Sequence, residues 1–180
     1  MRTIVNIHGD LIEQSKQGDR RAQKSLFDLY SRAVFNIGVR ILGNANDAAD
    51  VTQDTFVDAF TKLDQFAYRS TFGAWLKQIM VNKSLNFLQQ RKIHFDTEDL
   101  EDTVVEEDEP LDIEQMMLQL NASLSDLSEG CRIVFTLYHF EGLDHQEISD
   151  KLKISVSTSK SQLKRARMLL RELLTEKIVI

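Results

Sequence analysis

The chain has 180 residues, of which 42% are hydrophobic and 28% are charged. This length can form one ordinary domain or two small ones, and the composition is typical of a globular protein with a packed core. Cys131 is the only cysteine, which excludes an internal disulfide and a zinc site built from thiolates. We expect a cytoplasmic protein without membrane insertion, because there is no apolar run of about 20 residues and Met1–Asp10 lacks the pattern of a secretory signal.

The net charge of −6 is concentrated in the middle of the chain. Eleven acidic residues and no basic residue lie between Asp96 and Glu114, whereas residues 1–95 hold thirteen basic and nine acidic residues. Like charges at this density repel, so the acidic stretch predicts an extended linker. An acidic surface loop on a single domain is the alternative. We therefore predict domains at 1–95 and 113–180, joined by an acidic linker at 96–112.

The first predicted domain carries the spacing of three helices. Apolar residues recur every three or four positions over 22–41, and Gly43 follows as a helix terminator. A second helix is expected to begin with Asn46 as its N-cap. After a loop at 64–70, a third helix is predicted from near residue 71 to about residue 91. Since no run alternates with period two, the whole chain is predicted to be all-α.

The sharpest local pattern lies near the C-terminus. Helices are predicted at 128–139, at 145–152 and from Val156 onward, with a tight turn that ends on Ser155 as the N-cap of the last helix. Two short helices with a basic second member predict a helix-turn-helix that enters the major groove. Lys153 stands where glycine is usual in such turns, and Ser159 where an apolar residue is usual. A solvated basic face of an ordinary helical bundle is the alternative interpretation.

Several longer motifs in the sequence resemble those of a known family. Residues 44–63 read NANDAADVTQDTFVDAFTKL, residues 66–76 read FAYRSTFGAWL, and a basic run ends at Lys92. This order resembles region 2 of the sigma-70 family, in its extracytoplasmic-function (ECF) group. Residues 127–137, LSEGCRIVFTL, and 152–167, LKISVSTSKSQLKRAR, similarly resemble region 4. The resemblance implies two small helical domains, a sigma factor that binds core RNA polymerase, and recognition and melting of promoter DNA.

The resemblance implies a polymerase-binding surface on the second helix. Similar proteins dock this helix on the clamp of the largest catalytic subunit of the polymerase, and the polymerase flap is a further implied contact. The matching residues are Asp50, Gln53, Asp54 and Phe56. From the residues alone, an acidic stripe is more often a solvated face; Phe56 and Phe60 are candidates for the core, Phe60 the stronger one. An anti-sigma factor is a further implied partner.

Two separate surfaces are implied for promoter DNA. For the −10 element, the residues matching a base-capturing loop and helix are Ala67, Tyr68, Arg69, Ser70 and Asn82, and those that could follow phosphates are Lys77, Lys83, Asn86, Arg91 and Lys92. For the −35 element they are Ser157, Thr158, Lys160, Ser161, Lys164 and Arg165. Gln162, where many relatives carry arginine, is expected to remove one phosphate contact. Trp75 is expected to pack in the core.

No catalytic motif emerges from the sequence. The four histidines are scattered, the seven glycines are isolated, and no serine or cysteine lies in a nucleophile motif. We therefore expect no enzyme activity, no metal and no cofactor. A ligand-sensing helix-turn-helix regulator, which would bind duplex DNA without polymerase, is the rival function.

Overall fold

The computed structural model describes residues 7–91 and 123–178, with side chains as far as residue 173. All regular structure in these ranges is helical, which confirms the predicted all-α class. The chain divides into two compact units, Met1–Leu88 and Gln89–Ile180. The predicted linker at 96–112 lies outside the described residues, so its bounds stay a prediction. Within the described ranges, every helix is too short or too polar to cross a bilayer.

The N-terminal unit contains four helices and one short turn of 3-10 helix. The first helix was missed by the sequence analysis, because it is short and polar and carries few periodic apolar residues. The helices are α1 (Gly9–Lys16), α2 (Arg20–Leu42), α3 (Ala45–Thr61) and α4 (Phe72–Gln90), and the 3-10 turn spans Leu63–Gln65.

The connection between α2 and α3 is only two residues long. Gly43 ends α2 with φ of 69°, a left-handed conformation that glycine adopts without strain. Asn44 is then extended, and its side chain accepts hydrogen bonds from the backbone N–H groups of Asn46 and Asp47. The prediction of Asn46 as the N-cap is therefore wrong: Asn44 is the cap, and Asn46 already lies in the first turn of the helix.

The core of the N-terminal unit forms where α2, α3 and α4 approach closely. Leu26, Ile41 and Leu76 are fully buried in it. At Gly38, a Cβ atom would lie 2.3 Å from Met80 Cε and 3.2 Å from Ala48 Cβ, so a larger residue there would require the Met80 side chain to move and α3 to shift slightly. This tight packing fixes the position of α3 and α4, which carry most of the predicted site residues.

The C-terminal unit is built around one buried helix. Its described residues include the helices α5 (Glu129–His139), α6 (His145–Leu152) and α7 (Val156–Ile178). Every side chain or Cα from Gly130 to Leu137 is buried, and Ile133 and Leu137 are completely inaccessible. Helices α6 and α7 both pack on α5, so the predicted helix-turn-helix is presented on a rigid support.

Candidate nucleic-acid interface

The exposed face of α3 brings together three of the predicted polymerase-binding residues. Asp50, Gln53 and Asp54 are all exposed. Their spacing of three and four positions places them on one side of the helix. Val57, one turn further on, is 63% exposed and extends the same face. Val57 was not among the predicted residues, although its spacing from Gln53 and Asp54 places it on the same side of the helix.

Phe56, the fourth predicted polymerase-binding residue, has a different environment. It is 3% exposed, and its ring packs against Phe27 at 4.7 Å and Phe60 at 5.8 Å between centroids. Phe60 is the more accessible of the two α3 rings, which reverses the expected order of burial. In this structure, Phe56 therefore supports the acidic face from behind.

An ion-pair cluster joins α3 to α4. Asp58 Oδ2 lies 3.2 Å from Lys62 Nζ and 3.2 Å from Lys83 Nζ. The hydrogen bond from Lys62, followed by that from Lys83, lowers the pKa of Asp58. Lys83, a predicted phosphate contact, is thus engaged with a carboxylate in the free protein and would have to share or exchange this partner to bind DNA.

The loop between the 3-10 turn and α4 exposes the predicted −10 residues unequally. Ala67 and Arg69 are exposed, while Tyr68 and Ser70 are half-buried. Tyr68 has a backbone φ of 56°, in the left-handed region that bulky residues rarely adopt. The loop therefore has a defined and strained shape, with alternate residues presented to solvent.

Three groups contact the Tyr68 side chain. Its hydroxyl donates a hydrogen bond to Glu13 Oε1 of α1, Lys16 Nζ lies 4.7 Å from its ring centroid, and the Phe66 ring lies 4.7 Å away. Burial, and then the hydrogen bond to Glu13, raise the pKa of Tyr68 to about 12. The bonds from Tyr68 and Lys16 lower the pKa of Glu13. The Tyr68 side chain is thus directed at α1.

Below the loop, aromatic rings form a continuous cluster. Phe66 and Phe72 are buried, and their rings lie 5.9 Å apart. The Trp75 ring packs 5.2 Å from Phe66 and 5.8 Å from Phe72. Trp75 is only half-buried, so the expected packing role is accompanied by a partly accessible ring edge beside the loop.

Helix α4 presents a polar stripe next to the loop. Asn82 and Asn86, two predicted −10 residues, are exposed and lie four positions apart. Gln78, four positions before Asn82, is also exposed and was missed by the sequence analysis. Lys77 is half-buried, Arg91 is exposed, and Lys92 lies outside the described residues. These amides can donate to and accept from base edges.

In the C-terminal unit, local hydrogen bonds define the helix-turn-helix. Asp144 Oδ1 accepts from Glu147 N at 2.8 Å, and Glu147 Oε2 accepts from Asp144 N at 2.9 Å, which forms a capping box at the start of α6. Lys153 ends α6 with φ of 58°. Ser155 Oγ accepts from Thr158 N at 2.9 Å and caps α7 as predicted. Lys153, which stands where glycine is usual in such turns, thus adopts the left-handed conformation that glycine favours.

The predicted −35 residues cluster on the first three turns of α7. Ser157 and Lys160 are exposed, and Thr158, Ser161, Lys164 and Arg165 are half-buried. The Ser157 and Thr158 hydroxyls lie 2.7 and 2.8 Å from Ser155 Oγ. The start of the helix therefore carries a ring of hydroxyls, with cations one and two turns later. This order is suited to base edges followed by phosphates.

Two residues that depart from the family pattern face inward. Ser159 is completely buried, and its Oγ lies 2.9 Å from His145 Nδ1, which satisfies both polar groups. Gln162 is 1% exposed, and its Oε1 accepts from Cys131 Sγ at 3.1 Å. In this chain the Gln162 side chain therefore points into the core, away from the surface predicted to contact phosphates.

Two histidines take part in further contacts of α5 with α6 and α7. Arg167 Nε lies 3.3 Å from His139 Nε2, which accepts its hydrogen bond, and the Tyr138 ring stacks on His145 at 4.9 Å. Burial and the nearby Arg167 lower the pKa of His139. Burial, then Lys160 and Arg167, lower the pKa of His145. Both shifts favour the neutral form of the imidazole.

The described residues contain no group of three or more residues able to hold a metal ion. The two surfaces instead combine exposed amides, hydroxyls and cations with a strained loop beside an aromatic cluster. Such groups are suited to contact with phosphates and with base edges or faces.

Comparison with known proteins gives matches in both units. The family model described as Sigma-70 region 2 matches residues 26–93, and the model described as Sigma-70, region 4 matches residues 117–170. The ECF RNA polymerase sigma factor SigW of Bacillus subtilis is 28% identical, with 92% of this chain and 95% of SigW covered. The RNA polymerase sigma-H factor of Pseudomonas aeruginosa is 32% identical, with 87% of this chain and 88% of that protein covered.

One of the solved structures that match is the sigma factor RpoE from Bartonella quintana, in complex with the anti-sigma factor NepR. It is 24% identical, covers 84% of this chain and 96% of RpoE, and has a TM-score of 0.49.

Proposed function

Because the chain belongs to the sigma-70 family, in its ECF group, we propose that it binds core RNA polymerase, recognises the −35 and −10 promoter elements and promotes DNA melting. One observation carries this proposal: region 2 and region 4 match separate units of one chain, in that order. The protein acts as a transcription initiation factor in the cytoplasm and catalyses no reaction of its own.

The exposed face of α3 is the proposed polymerase contact. Asp50, Gln53 and Asp54 supply the acidic and amide groups, and Val57 adds an apolar contact at the end of the stripe. An acidic face of this kind is complementary to a basic helical surface, which the clamp of the largest catalytic subunit supplies in this family. Phe56 contributes indirectly, because it packs beneath the face.

The loop and α4 form the proposed −10 surface. The exposed Ala67 and Arg69 and the polar stripe of Asn82 and Asn86 lie on elements that are adjacent in sequence and share the aromatic cluster. Unstacking a base costs only a few kcal/mol, so a preformed loop can capture it as the strands separate. Lys77, Lys83, Arg91 and Lys92 then follow the phosphates.

The start of α7 is the proposed −35 surface. Ser157, Thr158 and Ser161 face base edges or the nearest phosphates, while Lys160, Lys164 and Arg165 neutralise phosphates. The C-terminal unit also docks on the polymerase flap. Because both units are held on one polymerase, binding of one promoter element raises the effective concentration of the other unit at its own element. Neither unit therefore needs high affinity for DNA alone. An anti-sigma factor that covers one of these surfaces is a further proposed partner.

Reconstitution with core RNA polymerase tests the function. The full chain should co-elute with core polymerase and direct transcription from promoters selected out of a randomised DNA library. Asp54→Ala should weaken polymerase binding about tenfold, since a charged contact at an interface is lost. Asp28→Ala, which removes an exposed acid from α2, is the matched control. Binding to duplex DNA without polymerase would instead support the rival regulator.

A further inference from the structure

The backbone of Tyr68 is held in a conformation that it would not adopt by itself. Tyr68 and Lys153 are the two described non-glycine residues with positive φ. For a residue with a bulky side chain, this conformation persists only when its surroundings determine it. Lys153 lies in a turn closed by its own N–H bond to Ser149 O. At Tyr68, the contacts that support this backbone conformation are made by the side chain.

Helix α1 supplies the distinctive part of these contacts. Glu13 Oε1 accepts the phenolic hydrogen bond, and Lys16 Nζ lies over the ring at 4.7 Å. Lys16 Nζ also lies 3.0 Å from Glu13 Oε1, so the carboxylate holds the ammonium group in place. Phe66 supports the ring at 4.7 Å, within the loop itself. The three side chains of Glu13, Lys16 and Tyr68 form one unit, which we call the α1 clamp.

The α1 clamp accounts for which loop residues are exposed to solvent. With the Tyr68 hydroxyl bonded to α1, its neighbours Ala67 and Arg69 are left exposed. The Tyr68 ring is already covered by Phe66 and Lys16, which leaves it poorly placed to stack on a base. Tyr68 is thus better suited to shaping the loop than to touching a flipped nucleotide.

We propose that Glu13 and Lys16 are positioning residues for promoter melting, which act through Tyr68 to hold the −10 loop ready to receive an unstacked base. This inference rests on the proposed function, since it assigns a role within the −10 surface. A preformed loop does not have to lose conformational entropy when it captures the base. The α1 clamp should therefore speed opening of the DNA.

Because Glu13 is negatively charged, its substitution can distinguish a positioning role from a general electrostatic effect on promoter opening. Removing a carboxylate makes the N-terminal unit more basic, and general electrostatics then predicts tighter binding to DNA and faster capture of the opened strand. Loss of a positioning residue predicts slower opening instead. The two explanations therefore give opposite results for the same substitution.

The experiment uses holoenzyme reconstituted from core RNA polymerase and the full chain. The probe is a promoter that the wild-type holoenzyme selects from a randomised library, with 2-aminopurine in the −10 element to report unstacking. The variants are Tyr68→Phe, Glu13→Ala and the double variant. Asp28→Ala is the control, because Asp28 pairs with Lys24 at 2.6 Å on an exposed face of α2 and carries the same charge.

Each single variant should open the promoter about fivefold more slowly, the effect of losing one hydrogen bond. The double variant should be no slower than either single one, since both remove the same bond. The variants should bind polymerase as tightly as the wild type does. The Asp28→Ala control should open the promoter at the wild-type rate. In the free protein, trypsin should cut after Arg69 faster in the variants, because the loop is released. Tyr68→Phe keeps the ring and removes one oxygen, so it decides the question even if Glu13→Ala destabilises α1.

Three results would overturn the positioning role: wild-type opening rates in Tyr68→Phe, faster opening in Glu13→Ala, or additive losses of about 25-fold in the double variant. Each requires that the wild-type holoenzyme opens the promoter. A wild-type chain that never binds polymerase or opens DNA would refute the proposed function together with the inference that rests on it.

Discussion

The two proposed promoter surfaces are held in shape by contacts of different range. In the helix-turn-helix, Asp144 bonds with Glu147, Ser155 with Thr158, and the Lys153 N–H with Ser149 O, so every partner lies within four positions. In the −10 loop, the Tyr68 hydroxyl bonds with Glu13, which lies 55 positions earlier. The caps and the turn of the first surface are therefore encoded locally, although its second helix also bonds to α5 and α6 through Gln162 and Ser159. The shape of the −10 loop depends on a contact between distant parts of the N-terminal unit.

This difference indicates how each surface can vary. The bases read by α7 can change through exposed residues such as Lys160 while the caps and the turn stay as they are. A change in the −10 loop must preserve its fit to α1 and to the aromatic cluster. We expect the N-terminal surface to tolerate fewer substitutions than the C-terminal surface, and four further measurements test this difference.

The largest effect is expected from Gln162→Arg. Gln162 is 1% exposed, so an arginine there places a charge in the core and should destabilise the C-terminal unit by about 3 kcal/mol. Hydrogen exchange over α5–α7 measures this change, while the fluorescence of Trp75, the only tryptophan, should show an unchanged N-terminal unit. Met168→Arg is the control, because Met168 lies on the same helix and is 46% exposed. Tighter DNA binding by a stable Gln162→Arg protein would contradict the buried placement.

The second-largest effect is expected from removal of a helix cap, which measures how much the local caps contribute to the stability of the C-terminal unit. Asp144→Ala removes the capping box at the start of α6 and should lower the free energy of unfolding of the C-terminal unit by about 1 kcal/mol. Chemical denaturation followed by hydrogen exchange of α6 measures the loss. Asp150→Ala removes the same charge near the other end of α6, where an acid opposes the helix dipole, and should not destabilise. Equal losses in both variants would mean that net charge, and not the cap, is responsible.

A smaller and opposite effect is expected at the turn. Lys153 is exposed and has φ of 58°, so Lys153→Gly relieves backbone strain and should stabilise the C-terminal unit by about 0.5 kcal/mol. Tyr68→Gly relieves the same kind of strain but removes the α1 clamp, and should slow promoter opening. Thermal unfolding and the 2-aminopurine assay measure the pair. If both variants behave alike, the distinction between local and long-range support fails.

The smallest effect is expected from mild acidification. The pKa values of His139 and His145 are lowered from 6.5 in the folded protein, so the unfolded chain binds protons more readily. The C-terminal unit should therefore lose stability as pH falls below about 6.5, whereas the N-terminal unit, whose Glu13 and Asp58 have lowered pKa values, should change only in the acid range where carboxylates titrate. Thermal unfolding between pH 7.5 and 5.5 measures this. The double variant His139→Gln, His145→Gln should flatten the dependence, and an unchanged slope would contradict it.

Features with short-range causes could be predicted from the sequence. The cap at Ser155, the left-handed Lys153 and the end of α2 at Gly43 all follow from residue chemistry within a few positions. Asn44 and Asn46 have the same capping chemistry, and the choice between them depends on the extended backbone at Asn44, which the sequence does not show.

Features that depend on tertiary packing could not be predicted. Phe56 and Phe60 are equivalent in a helical pattern, and only the approach of Phe27 from α2 makes Phe56 the more buried ring. Gln162 lies between basic residues, yet its partner is Cys131 on α5. The α1 clamp joins a short polar helix to a distant loop, and neither segment carries a periodic pattern that points to the other.

The link between Glu13 and Tyr68 also constrains when the −10 loop can acquire its shape. During synthesis α1 leaves the ribosome first, but its partner is made 55 residues later, after α2 and α3. Closing a contact of this sequence separation is slow compared with forming a turn, so the loop should be among the last parts of the unit to mature.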